Sequence, residues 1–320
     1  MEQGGALAAE RDGERSIQGL MDGVNRVLLD KADVVELVTL CMVSGGHVLL
    51  EDVPGVGKTT LAKALARASG ATFRRIQFTS DMLPADVIGV SVFDAGRGQF
   101  VFNPGPIFAQ MLLADEINRT PPRTQSALLE AMSEGQVTVD NVTRPLPQPY
   151  FVLATQNPLE LHGTYPLPES QMDRFMMSLS MGYPSDAVER AVLVQEDDDR
   201  RLADLPVLAG PADLERWRRS SQTPAVKDSL VAYIQAILHG TRVCPEVQLG
   251  ASPRAGIQLL RAVRARAWIR GRPFVTPDDV RALAVHVLAH RLWLRGERTG
   301  GRREQARNVL ARIVESVPLP

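Results

Sequence analysis

HVLLEDVPGVGKTTLAKALARAS, residues 47–69, joins three patterns: a short apolar run, a glycine-bearing turn and an amphipathic repeat. HVLLE (47–51) reads as a buried strand, and TTLAKALARAS (59–69) as a helix. The turn between them nearly matches the phosphate-binding pattern G-x-x-x-x-G-K-[ST], with Asp52 standing where the first glycine belongs. A Gly-Lys-Thr turn alone is common. A strand ending before it and a helix opening at Lys58–Thr59 give it meaning, because the loop N–H groups and the helix dipole then converge on one anion. Gly55 and Gly57 allow close backbone approach, Lys58 supplies a point charge, and the Thr59 hydroxyl can reach Mg2+. Residues Pro54, Gly55, Val56, Gly57, Lys58, Thr59 and Thr60 form the candidate nucleotide cradle. Asp52 is tolerable at a strand exit, since aspartate accepts unusual backbone angles. Its carboxylate must face away from the phosphates.

The same alternation continues outward. FRRIQF (73–78), MLLAD (111–115), YFVLAT (150–155) and FMMSLSM (175–181) read as further strands. PPRTQSALLEAMSEG reads as a helix capped by Thr120, with Pro121 at its first position and Gly135 at its end. Strands separated by helices predict an α/β fold: a five-stranded parallel sheet flanked by helices. Two segments interrupt it as hairpins, GVSVFDAGRGQFVF (89–102) and QVTVDNVTRPL (136–146), the second turning at Asp140–Asn141. Beyond about residue 185 the strand signal fades. EDDDR (196–200) with Pro206 and Pro211 reads as a linker or exposed loop. TPDDVRALAVHVLAHRL (276–292) then predicts a helix with Thr276 as cap and Val280, Leu283, Val287 and Leu288 on one apolar face. The expected organisation is a tail at 1–15, a nucleotide-binding domain at 16–185, a linker at 186–210 and a smaller all-α domain at 211–320.

Composition narrows the classes of function. The 320 residues carry 36 basic and 37 acidic side chains, a formal charge of −1, which argues against a dedicated non-specific nucleic-acid binder. Two cysteines, Cys41 and Cys244, without metal-ligand spacing fit a reduced, cytoplasmic compartment. Residues 1–15 are polar and read as a frayed tail rather than a targeting signal, and no run approaches the ~18 apolar residues of a membrane span.

The chemistry-bearing residues follow in order. MLLADE (111–116) is a buried strand ending in two carboxylates: Asp115 is placed to hold Mg2+ through water, and Glu116 to polarise an attacking water. YFVLATQNP ends a strand with Gln156 and Asn157, amides able to orient that water. PESQMDRF places Arg174 before the fifth strand, and GASPRAG places Arg254 at the start of a helix in the second domain. His286 and His290, four apart, lack the glutamate of an H-E-x-x-H pair and read as core or surface histidines. The arginines of RLWLRGERTGGRREQAR (291–307) read as a solvated face or a subunit contact rather than a phosphate-backbone stripe. Trp217, Trp268 and Trp293 read as packing residues.

Taken together, GHVLLEDVPGVGKT, LLADEINRTPPRTQSALLEAMSEGQVTV, ATQNPLELHGTYPLPESQMDRF and GYPS (182–185) closely resemble the MoxR group of AAA+ ATPases, over roughly residues 20–295. The resemblance implies a Walker A loop, a Walker B segment, sensor 1 at Asn157, an arginine finger at Arg174 and sensor 2 at Arg254. It implies that the hairpins are the helix-2 and pre-sensor-1 insertions, and that the smaller domain is the lid. It further implies ATP and Mg2+ as ligands, a homo-oligomeric ring, most simply a hexamer, and chaperone-like work on a client protein. That work would be metal-cofactor insertion or complex maturation with a partner bearing a von Willebrand factor A domain. DKADVV (30–35) departs from the Gly-Gln pair that many relatives have near the adenine, so no base-contacting residue carries over. Two other readings stay open: a nucleic-acid-associated motor, and an ATP-binding scaffold or switch with little turnover. Nothing marks the acceptor pocket of a kinase.

Overall fold

The computed structural model describes residues 17–157, 163–194, 198–296 and 302–320. The expected tail at 1–15 lies outside the described residues. Two helices, α1 (17–27) and α2 (Ala32–Val43), lead into strand β1 (Val48–Glu51) and helix α3 (Lys58–Ala68). The chain continues through β2 (Phe73–Gln77), α4 (Pro84–Ile88), the hairpin β3 (Gly89–Asp94) and β4 (Gln99–Pro104), then β5 (Met111–Asp115) and α5 (Pro122–Glu134). A second hairpin, β6 (Gln136–Val139) and β7 (Val142–Pro145), precedes β8 (Phe151–Gln156), α6 (Glu169–Met172) and β9 (Met177–Leu179).

Strands β2, β5, β8, β1 and β9, in that spatial order, form a five-stranded sheet in which every pair is parallel. The three central strands are buried at every residue, which is why they read as unbroken apolar runs rather than alternating ones. Successive side chains still go to opposite faces. Val48, Leu50, Leu113 and Leu153 join a core with α1, α2 and α3, whereas Leu49, Leu112 and Val152 join a second core with α5 and Phe175. The hairpins stand off this sheet. In the second, Asp140 and Asn141 both take the left-handed backbone, with φ of 52° and 61°, as a tight two-residue turn requires.

Three local expectations need correction. Helix α5 begins at Pro122, with Pro121 extended at φ −59° and ψ 153°, so Thr120 makes no capping bond and its side chain is fully buried. The reason is the second proline, whose ring excludes the helical conformation from the residue before it. Strand β9 spans only Met177–Leu179. The segment expected as a linker carries two helices, α7 (Asp186–Val194) and α8 (Asp198–Asp204), and its end is tied to α3: Arg67 donates to Leu205 O at 2.5 Å and Ala203 O at 2.6 Å. Residues 195–197, which include Glu196 and Asp197 of the acidic run, lie outside the described residues.

Helix α9 (Pro211–Ser220) returns to α2, with Trp217 wholly buried and Ser221 donating to Val43 O at 3.0 Å. The remaining helices are α10 (Asp228–Val243), α11 (Pro253–Ile269), α12 (Pro277–Leu288) and α13 (Arg302–Ser316), with a small antiparallel pair of β10 (Val247–Leu249) and β11 (Trp293–Leu294). The expected apolar face of α12, Val280, Leu283, Val287 and Leu288, is at most 1 % exposed. In its first turn Asp279 is buried and accepts bonds from Arg266 at 3.0 Å, Arg272 at 2.6 Å and the Thr276 N–H at 2.9 Å. One carboxylate thus joins α11, the following turn and α12. The helical domain's apolar core is continuous with that of α1–α3.

Candidate nucleotide site

The loop after β1 enters α3 through two glycines in the left-handed region, Gly55 at φ 87° and Gly57 at φ 93°. At Gly57 a Cβ would also stand 3.1 Å from Leu28 Cδ1. A Cβ at Gly55 would meet nothing within 4 Å, so the loop there faces open space. That space, rimmed by main-chain N–H groups at the start of an 11-residue helix with no acidic residue in its first turn, suits a polyphosphate. Lys58 Nζ donates to two carbonyls of the loop, Asp52 O at 2.8 Å and Val53 O at 3.2 Å. Partial burial lowers the pKa of Lys58, while the carboxylates of Asp52, Asp115 and Glu116 act to raise it. All three are therefore within its electrostatic reach.

The Asp52 carboxylate does face away from the open space. It accepts from Ser180 Oγ at 2.8 Å, from the Met181 N–H and from the Gly182 N–H at 3.2 Å. Aspartate here anchors the loop to the chain leaving β9, a task that glycine cannot perform.

Asp115 and Glu116 end β5, two strands from β1 in the sheet. Thr155 on the intervening β8 fixes both. Its hydroxyl donates to Asp115 Oδ1 at 2.5 Å and accepts from the Glu116 N–H at 2.9 Å. Glu116 has φ 57°, which is uncommon for a side chain of this size and aims its carboxylate away from the strand line. Gln77 donates to Glu116 Oε2 at 2.6 Å, and Arg119 lies 3.1 Å from the same oxygen. Arg75 bonds Asp115 Oδ2 at 2.7 Å and 3.2 Å. Asn157 follows β8 directly, at the same sheet edge. Gln156, expected beside it as a water-orienting amide, is instead buried and donates to Glu51 Oε1. The Thr59 hydroxyl and the Asp115 carboxylate are hard oxygen donors, the chemistry that Mg2+ prefers.

Arg174 and Arg254 are elsewhere. Met177 pairs with Val48 at the start of β1, so Arg174, three residues earlier, sits at the opposite sheet edge from the loop that follows Glu51. About 10 Å of strand separates the two edges. The Arg174 guanidinium rests on α5, donating to Leu129 O at 3.0 Å and to Ser133 Oγ. Helix α11 runs antiparallel to α2. Near its start Gln258 donates to Asp173 O at 3.4 Å, and just past its end Arg270 bonds Glu36 on α2 at 2.8 Å. Arg254, exposed and one turn before Gln258, therefore lies with Arg174. Each chain carries the phosphate loop and carboxylates at one end and the two arginines at the other.

Several participants escaped the sequence reading. Gln77 and Arg75 sit at alternate positions of an edge strand, where the only signal was a polar face. Arg291, expected on a solvated or subunit-facing stripe, is buried beside Asp173. Arg303 of the same stripe is half-buried and pairs with Glu51. Lys31 in the divergent DKADVV stretch is buried and donates to Tyr183 O at 2.8 Å, tying α1–α2 to GYPS.

The chain matches the model of the ATPase family associated with various cellular activities (AAA) over residues 47–177, and the AAA lid domain over residues 239–313. It is 46 % identical to the YeaC protein of Bacillus subtilis, covering 98 % of each chain. It is 40 % identical to Chaperone MoxR1 of Mycobacterium tuberculosis, over 99 % of this chain and 85 % of that one. A crystal structure from Cytophaga hutchinsonii superposes with a TM-score of 0.91 at 34 % identity, covering 100 % of this chain and 99 % of that one. Similarity at this level spans the phosphate loop, both carboxylates and the helical lid alike, and the protein belongs to the MoxR family of AAA ATPases, enzymes that hydrolyse ATP.

Proposed function

We propose that the protein is a ring-forming ATPase, most simply a hexamer, that remodels a client protein. The observation that carries this reading is the division of the site. Lys58, Thr59, Asp115, Glu116 and Asn157 occupy one end of the sheet, whereas Arg174 and Arg254 occupy the other, so two copies placed end to end complete one another. In the hydrolysis step water attacks the γ-phosphorus and the bond to the bridging β–γ oxygen breaks. Glu116 accepts the proton of that water, Asn157 orients it, and Lys58 balances charge on the outer phosphate oxygens. Mg2+ would be held through the Thr59 hydroxyl and Asp115 and would supply further charge neutralisation. Arg174, with Arg254, answers charge on the neighbour's nucleotide, which ties turnover to assembly.

The name of the MoxR1 relative supports a chaperone role. The family resemblance supports metal-cofactor insertion or complex maturation with a von Willebrand factor A domain partner in the cytoplasm. Among the described residues no helix is long and apolar enough to cross a membrane. Two substitutions test the core of the proposal. Lys58→Ala should weaken Mg·ATP binding greatly in calorimetry. Glu116→Gln should bind normally and lose turnover, because the amide keeps the shape but cannot take a proton. Turnover of Glu116→Gln within about tenfold of the parent, less than ~1.4 kcal/mol of barrier, would remove Glu116 from the role of base. A von Willebrand factor A domain protein encoded beside this gene should raise the hydrolysis rate, and single-stranded DNA should leave it unchanged.

A further inference from the structure

We propose that Arg291 is a positioning residue: it clamps the main chain on both sides of Arg174 to lid helix α11, so that Arg174 and Arg254 are presented to the neighbouring subunit as one rigid unit. The inference rests on the reading that Arg174 acts across a subunit boundary. Arg291 closes a short turn, Ala289–Arg291, directly after α12, and its side chain is 4 % exposed. Its donors converge on one stretch of four residues. Nε bonds Asp173 Oδ1 at 2.7 Å, Nη2 bonds Phe175 O at 2.6 Å and Asp173 O at 3.4 Å, and Nη1 reaches Met176 O at 3.4 Å. The same guanidinium bonds Val287 O within α12 and Gln258 Oε1 on α11. Gln258 in turn donates to Asp173 O, and His290 lies 3.1 Å from Phe175 O. The lid thus holds residues 173, 175 and 176, while the Arg174 side chain itself turns the other way onto α5.

This arrangement fits positioning better than stability. A buried guanidinium with one carboxylate partner is seldom more stabilising than an apolar side chain of similar volume. What the planar fork provides is geometry, because several acceptors on two elements must satisfy it at once. Arg254 is close enough to repel Arg291 electrostatically, and it lies one helical turn before Gln258. A shift of α11 caused by an anion at Arg254 is therefore delivered to Asp173 and the backbone of Arg174 through Gln258 and Arg291.

The test uses the full chain and mixed rings. Arg291→Met and Arg291→Lys should bind Mg·ATP within about twofold of the parent, assemble normally by sedimentation, keep KM and lose at least tenfold in kcat. Lysine keeps the charge but not the fork, so parental turnover in Arg291→Lys would overturn the proposal. Mixed with Glu116→Gln, Arg291→Met should regain activity, because the Glu116→Gln subunit offers an intact arginine to a site whose own Glu116 is intact. Mixed with Arg174→Ala, it should not, since both variants are defective in the same donated group. Recovery with Arg174→Ala would make the defect one of the chain's own site and sink the clamp. If Arg291→Met fails to fold by thermal melt, Asp173→Asn enters the same two mixtures with the same expected pattern. The control mixture of Arg174→Ala with Glu116→Gln separates the two levels. Recovery there with the wrong pattern for Arg291 defeats only the clamp, whereas no recovery in proven mixed rings defeats the trans-acting arginine and the clamp with it.

Discussion

Asp52 shows how a departure from a motif can be read at the level of one side chain. The loop needs glycine only where the backbone is left-handed or crowded, at Gly55 and Gly57, and position 52 is neither. Freed from that need, the position carries a carboxylate that collects Ser180 and the N–H groups of Met181 and Gly182, locking the phosphate loop to the chain leaving β9. Asp52→Gly should therefore restore the consensus and weaken the protein. The expected loss is on the order of 1–3 kcal/mol, the cost of leaving the buried Met181 N–H without an acceptor, read as a lower melting temperature. Mg·ATP binding should persist, since Lys58 and the loop amides remain. A variant that melts with the parent would mean the anchor contributes nothing. The direction of this carboxylate was legible in the sequence, because a negative charge facing phosphates is untenable. Its partners were not, for they lie about 130 residues away. The same holds for Thr155, Gln77 and Arg291: each acts through a contact made only when separate strands and helices come together. The placement of Lys58, Asp115 and Glu116 was legible because it depends on position next to a strand end, which is local.

Elements were readable where one periodicity ran without competition and misread where two signals competed. Three central strands and α12 belong to the first class. Helix α5 belongs to the second, because Thr120 looked like a cap until Pro122 forced Pro121 out of the helix. Helix α8 was hidden by its charges and flanking prolines, which resemble a solvated loop until Arg67 is seen gripping Leu205 and Ala203. His47 shows what joins such elements. Preceding β1, it accepts from the Val152 N–H of β8 at 3.1 Å through Nδ1 and donates through Nε2 to Met132 O of α5 at 3.1 Å. Burial pushes its pKa down from 6.5 to about 4, the bond to Met132 O opposing. The unfolded chain thus takes up a proton between these values that the folded chain refuses. Stability from this group is complete above about pH 6.5 and is lost as pH falls toward 4, by on the order of 3 kcal/mol at full protonation. Half-buried His286 and His290, whose pKa values desolvation also lowers, act in the same sense. Melting temperature should fall on acidification from pH 7 to 5, and His47→Gln should be less stable at pH 7 yet lose less over that interval. An equal slope in the two proteins would assign the acid sensitivity elsewhere.

At the scale of the whole molecule, the phosphate loop lies at one end of the sheet, and half-buried Arg174 with exposed Arg254 lies at the other. What a single chain can do differs from what neighbouring chains can do. Nucleotide binding needs the loop, Lys58 and the start of α3, all within one chain, so its affinity should not depend on protein concentration. Turnover, if Arg174 and Arg254 complete the next subunit's site, needs contact between copies. Diluting the protein should therefore lower the hydrolysis rate per chain while the dissociation constant for Mg·ATP stays constant. Sedimentation at the same concentrations should show the fall tracking the loss of rings. Kinetic coupling between adjacent sites should give the ATP dependence of the hydrolysis rate a Hill coefficient above one, which disappears at the dilute end. The double variant Arg174→Ala with Arg254→Ala supplies the internal control: its residual rate uses only groups within one chain and should change little with dilution. If the parent's rate per chain remains constant down to concentrations where sedimentation finds monomers alone, the arginines do not work across chains, and the hydrolytic site must be complete in a single copy.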